Sequence, residues 1–222
     1  NFKDSGGSGL AVLAEPSSSP TRARLVKASK AAFPKAIWAE YEAVDFSNSS
    51  KSASKLLQQP SRPVLRLEKA KRILSFDSDF SGFDVHGTAN ARAFASGRRI
   101  KSAKEATKMS RLYAVESNLS LTGANADHRL RLASTNIPAF VNLVASHILV
   151  DIKAPDGFSE EQQKWAEKCA DDLKSKKKQS LIVAGSNLSV EVHSIVYAMN
   201  EKLGANSSTV DYVAATEVSE SE

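Results

Sequence analysis

Only one cysteine, Cys169, occurs in 222 residues. No internal disulfide can form, and this chain alone cannot supply the thiolates of an iron–sulfur cluster. Cys169 lies in the helical run Trp165–Ala170 and reads as a small core residue. No apolar stretch reaches the length of a membrane span. The four histidines, His86, His128, His147 and His193, show no metal-ligand spacing and read as structural. His128 beside Asp127 invites an acid–base role, but no G-x-S-x-G or similar nucleophile pattern accompanies it. The clustered glycines Gly6-Gly7-Ser8-Gly9 precede a strand, whereas a phosphate cradle needs them after one and entering a helix. No nucleic-acid-binding motif is present. The one basic run, Lys174 and Lys176–Lys178, follows an amphipathic helix and reads as its solvated end, despite a net charge of +5.

What is present fits a globular α/β chain. A hydrophobic fraction of 41% and a charged fraction of 25% are ordinary for one, and the length suffices for one large domain or two small ones. Leu10–Ala14 reads as a buried strand. Ser19 and Pro20 then open a helix that Pro34 stops, and Ala36–Tyr41 returns to strand. Ser47–Gln59 reads as loop or short surface helix, and Leu65–Leu67 as short strand or loop. Arg72–Phe76 is a clear buried strand ending at Asp77-Ser78-Asp79. Those acids suit a metal, a ribose or a basic group, or the simpler task of capping the next turn. Ala89–Arg99 is a helix with a basic end. Arg111–Arg131 holds another buried strand, which turns polar at Glu116-Ser117, then a loop with Ser120, Thr122, Gly123, Asn125 and Asp127. Leu130–Leu132 is a short apolar alternation.

Ile137–Ile152 has the spacing of a buried helix. Ser159-Glu160-Glu161-Gln162 is a capping box for a helix to about Lys177. Ser180–Gly185 is a further buried strand, Ser189 caps a helix ended by Gly204, and Thr209–Val213 reads as a strand closing the sheet. The whole predicts one α/β domain over residues 1–215, a three-layer sandwich with a mainly parallel sheet. Residues 216–222 are expected to be a disordered tail. Starting at Asn1-Phe2-Lys3, without an initiator Met or a targeting peptide, the chain reads as a piece of a larger protein.

The order Val115-Glu116-Ser117, Thr122, Ala126-Asp127, Leu130-Arg131-Leu132 resembles the strand, T-x-T-A-x-x-A-D-like segment and second strand of the molybdopterin oxidoreductase superfamily. That superfamily includes formate dehydrogenase and dimethyl sulfoxide reductase. The variant VES…LTGANADHRLR, with the opening stretch from Gly9 to Glu42, is similar to one branch, the iron–sulfur subunit of bacterial alternative complex III, a quinol:cytochrome c oxidoreductase. The resemblance implies a formate dehydrogenase-like fold and a place on the periplasmic side of the bacterial inner membrane. Other subunits of a respiratory complex would be its partners, with iron–sulfur clusters elsewhere in the parent.

This chain departs from the family pattern at two strand ends. Asp77-Ser78-Asp79 stands where members have a G-x-N-like turn, and Ala133–Asn136 where they have a PGTD-like one; Gly185 keeps a family glycine. The resemblance therefore implies a silent scaffold with a lost pterin pocket, whose vestigial candidates are Asp77, Asp79, Glu116, Ser117, Thr122, Asp127 and Gly185. The alternative is an active oxidoreductase holding half of a molybdopterin guanine dinucleotide cofactor through Asp77, Glu116, Asp127 and Gly185. Glu116, Thr122, Asp127, Asp77, Asp79 and Gly185 are expected to gather along one sheet edge, and in the scaffold reading Asp77 or Asp79 caps local amides or pairs with an arginine such as Arg72 or Arg111.

Overall fold

The structure is a computed structural model and describes residues 2–17, 19–84 and 86–215; the expected tail lies outside the described residues. By its internal packing the chain divides into two compact units, one built on Asn1–Asp45 and the other on Phe46–Val213.

The first unit is a single β-α-β turn. Strand β1 (Ala11–Ala14) pairs in parallel with β2 (Ile37–Glu40), and α1 (Pro20–Ala32) connects them. Ser19 caps α1 as expected, its Oγ accepting the Arg22 N–H at 3.4 Å, with proline in the first turn. The expected burial of the first strand is not met: Leu13 is 73% exposed, and no residue of α1 is buried. Two strands and one helix offer too few layers to enclose a side chain on both sides.

The second unit carries a four-stranded, all-parallel sheet of β4 (Arg72–Phe76), β5 (Arg111–Glu116), β6 (His128–Arg131) and β7 (Ser180–Ala184), in the order β6-β5-β4-β7. Alternate residues feed two cores. Leu74, Phe76, Tyr113, Val115 and Ile182 face α5 (Ile137–Ser146), α6 (Glu160–Ser175) and α7 (Val190–Leu203). Ile73, Leu112, Leu181 and Val183 face Phe80, Phe94 of α3 (Gly87–Arg98), and Val210. Helices thus cover both faces, which is why β4, β5 and β7 read as largely apolar runs, whereas the edge strand β6 is polar and mostly exposed. The class is α/β with a mainly parallel sheet.

Local chemistry sets the helix boundaries. Ser159 and Gln162 form the expected capping box, with reciprocal bonds of 3.3 and 3.0 Å. Helix α5 stops at Ser146 rather than Ile152. There the Ser146 hydroxyl donates to the Leu143 carbonyl at 2.8 Å, and the chain tightens onto Ala145. Ile148 stays buried beyond the helix end. The polar stretch after Ser47 folds as α2 (Asn48–Leu57).

Strand β8 (Val210–Ala214) does not close the central sheet; it pairs with β3 (Ser61–Leu65) in a separate ribbon. The place beside β7 is taken by side chains. The Asn200 amide accepts from the Ile182 N–H at 2.9 Å and donates to its carbonyl at 2.8 Å, and Thr209 Oγ1 donates to the Ser180 carbonyl at 2.6 Å. These bonds satisfy an edge that would otherwise recruit a strand.

Candidate functional site

From β4 the chain steps outward to β5 and β6, and then returns to lay β7 on the other side of β4. Strand order reverses between β4 and β7. In open α/β sheets the crevice outside the carboxyl ends of two such strands is the usual ligand site. Asp77 and Gly185 follow those strands directly, and the Gly185 N–H donates to the Phe76 carbonyl at 2.8 Å. A Cβ on Gly185 would overlap the Asp77 carbonyl, so only glycine lets the two strand ends approach this closely.

The carboxylates at this edge are turned inward onto the protein's own donors. Asp77 adopts a left-handed backbone (φ 48°), which aspartate tolerates better than most residues. Its Oδ1 accepts from the Ser117 N–H at 3.2 Å and the Ser117 hydroxyl at 3.4 Å, and its Oδ2 from Asn187 Nδ2 at 2.8 Å. Asp79 Oδ1 takes the Thr122 N–H at 2.9 Å and hydroxyl at 3.0 Å, and Oδ2 the Phe83 N–H at 3.0 Å.

Glu116, 4% exposed, receives Arg129 Nε at 2.6 Å and the Ser120 hydroxyl at 2.6 Å. Ser120 in turn caps α4 (Leu121–Ala124), accepting the Gly123 N–H at 2.9 Å. A Cβ on Gly123 would fall within the Glu116 carboxylate, so this glycine makes room for the buried acid. Asp84 lies behind, accepting the Ser78 hydroxyl at 2.5 Å. Burial raises its pKa, and nearby Asp79 and Asp77 push the same way.

Six of the seven candidates, Asp77, Asp79, Glu116, Ser117, Thr122 and Gly185, therefore sit together after β4, β5 and β7. Asp127 does not. It precedes β6, and a parallel strand starts at the opposite edge; the Asp127 N–H donates to the Leu112 carbonyl at 2.9 Å, near the start of β5. There it accepts both arms of Arg98, at 2.7 and 2.9 Å, and the Leu112 N–H at 2.8 Å. Arg72 and Arg111 also lie at this amino edge, 2.6 and 2.8 Å from Asp172, so neither pairs with Asp77 or Asp79. Ser120, read from the sequence as a turn or cap residue, joins the site, whereas Arg129, Asn187 and Asp172 were missed. Asn187 lies in the loop after β7, where an amide is the signal to seek.

The amino-edge acids carry the pH dependence. Burial opposes the charged form of Asp172, but hydrogen bonds from Arg72, Tyr113 and Arg111 hold its carboxyl below the ordinary range. Asp127 is lowered likewise, with burial outweighed by Arg98 and the Leu112 N–H. A depressed carboxylate stabilises the fold fully above its unfolded pKa of about 3.9, and that stability is lost as pH falls through the folded value. The melting temperature should therefore drop steeply below about pH 4. Asp172→Asn should flatten that drop, and a drop of unchanged steepness would exclude Asp172 as its source.

No protein-family model matches the chain, and comparison with curated proteins finds no match. Among the described residues, no group of three or more His, Cys, Asp or Glu is placed to hold a metal ion, and no helix is long and apolar enough to cross a membrane. The amides of Ser117, Thr122 and Phe83 at this edge already serve carboxylates, and the space at Gly185 is filled by Asp77.

Proposed function

We propose that this chain is a non-catalytic scaffold domain of a larger, membrane-associated iron–sulfur electron-transfer protein of the quinol:cytochrome c oxidoreductase type. In this reading its fold is of the formate dehydrogenase kind and its pterin pocket has been given up. One observation carries the loss of the pocket. Asp77, Asp79 and Glu116 occupy the donors at the carboxyl edge, acting as built-in anions where a cofactor would bring phosphates. Adding a phosphate beside them would set like charges together at short range. The rest is supported by the resemblance of VES…LTGANADHRLR and the opening β-α-β stretch. With one thiol, the chain leaves cluster ligation to the rest of the parent, and its role is to hold those parts and dock neighbouring subunits on the periplasmic side of the membrane. The active-enzyme alternative gathers Asp77, Glu116, Asp127 and Gly185 on one cofactor, and is disfavoured because Asp127 lies at the other edge.

The test is chemical analysis of the full-length parent purified with its partners. Iron without extractable pterin is the expected result. Stoichiometric guanine-pterin dinucleotide would establish the enzyme instead.

A further inference from the structure

A cavity of about 500 Å³ lies beside the free edge of β7, walled by α2, β3, α3 and α7. That is the size of a site for a small organic molecule. Pairing with β4 uses backbone groups of alternate β7-side residues, Gln179 and Gly185 among them. Ser180, Ile182 and Ala184 therefore turn theirs to the open side. Asn200 covers both groups of Ile182, and Thr209 covers the Ser180 carbonyl. Ala184 lines the cavity, and among the described residues no backbone bond outside the strand ladder engages its N–H or C=O.

His193 lines the same cavity, is 8% exposed, and has no hydrogen-bond partner for Nε2 among the described residues. Burial drives its ring pKa down to about 4, against the pull of a hydrogen bond to the Gly185 backbone. The ring is thus neutral at pH 7. Because Nε2 has no partner, the bond to Gly185 is assigned to Nδ1, which leaves Nε2 an acceptor on the wall that Ala184 also lines.

We propose that this cavity binds a small, uncharged, planar molecule with a carboxamide or lactam edge. Its carbonyl accepts the Ala184 N–H, its N–H donates to the Ala184 carbonyl, and His193 Nε2 takes a further N–H or O–H. The protein already displays this recognition one step along the same edge, where the Asn200 carboxamide grips Ile182 in the same two-point manner. Tyr197 and Tyr212, with ring centroids 5.1 Å apart, supply an aromatic wall. The charged lining balances. Arg66 is paired to Asp211 at 2.7 Å, Arg62 meets His86 Nε2 at 3.3 Å, and Glu68 and Asp84 share the lining with the two arginines, so a neutral ligand is preferred to a phosphate-bearing one. This site is separate from the carboxylate-filled edge and does not depend on the scaffold reading.

The test is an NMR titration of the 222-residue chain with benzamide, N,N-dimethylbenzamide and benzoate. Benzamide should shift the Ala184, Gly185 and His193 signals saturably. The other two, lacking the amide N–H, should bind at least about tenfold more weakly. Ala184→Pro removes only an N–H that faces away from the ladder, which an edge strand tolerates, and should weaken benzamide to a similar degree. If that variant does not fold, the three probes on the unaltered chain decide alone. Absence of saturable shifts at Ala184, or equal affinity for all three probes, overturns the proposal. Shifts confined to Ser117 and Thr122, outside the cavity, overturn it as well.

Discussion

Val144→Asp should leave the protein without a cooperative fold. Val144 is fully buried in α5, among the side chains that join α5, α6 and α7 to the sheet. An aspartate there meets no donor and no cation in an apolar core. The penalty for an uncompensated buried charge is about 3–5 kcal/mol, against a total stability of about 5–15 kcal/mol for a domain. Size-exclusion chromatography and near-ultraviolet circular dichroism should show aggregate or unfolded chain. Val144→Ala is the control: it leaves only a small void, costs about 2 kcal/mol, and should melt cooperatively at a lower temperature. An aspartate variant that melts like the parent would mean that α5 does not pack against the sheet.

Glu116→Ala is expected to have the next largest effect. Truncation strands Arg129, whose side chain is 27% exposed, and removes the acceptor of the Ser120 hydroxyl that positions the cap of α4. Breaking a buried pair by deleting one partner costs about 3 kcal/mol, which lowers the melting temperature of a unit this size by about 10 °C. Glu116→Gln keeps the shape beside Gly123 and an acceptor for Ser120, so it should recover part of the loss. If both variants melt like the parent, Glu116 is not a structural latch and its burial needs another explanation.

The contrast between what was and was not legible in the sequence follows the range of the interactions. Ser159 with Gln162, Ser189 at the start of α7 and Gly204 at its end are local devices, and each could be read within four residues. The strands β4, β5 and β7 were legible because burial on both faces leaves their middle positions apolar, Ser75 apart. The separate ribbon of β3 and β8 was not, because Asn200 and Thr209 hold the edge of β7, an arrangement no local pattern encodes. Six of the candidate residues were placed together by the rule that parallel strands share a carboxyl end. The same rule should have excluded Asp127, since the residue before β6 must lie at the amino end once β6 is parallel to β5. Its bidentate partner Arg98 was unreadable for a different reason: it comes from a helix 29 residues earlier in the chain.

The central claim is that the carboxyl edge is closed by its own acids. Isothermal titration of the chain with guanine nucleotides and with the pterin dinucleotide measures this directly. The account predicts no binding heat, because Asp77, Asp79 and Glu116 hold the donors that phosphates would need. Micromolar affinity that is abolished by Asp79→Ala or by a larger residue at Gly185 would contradict it and return the edge to the role of a cofactor site.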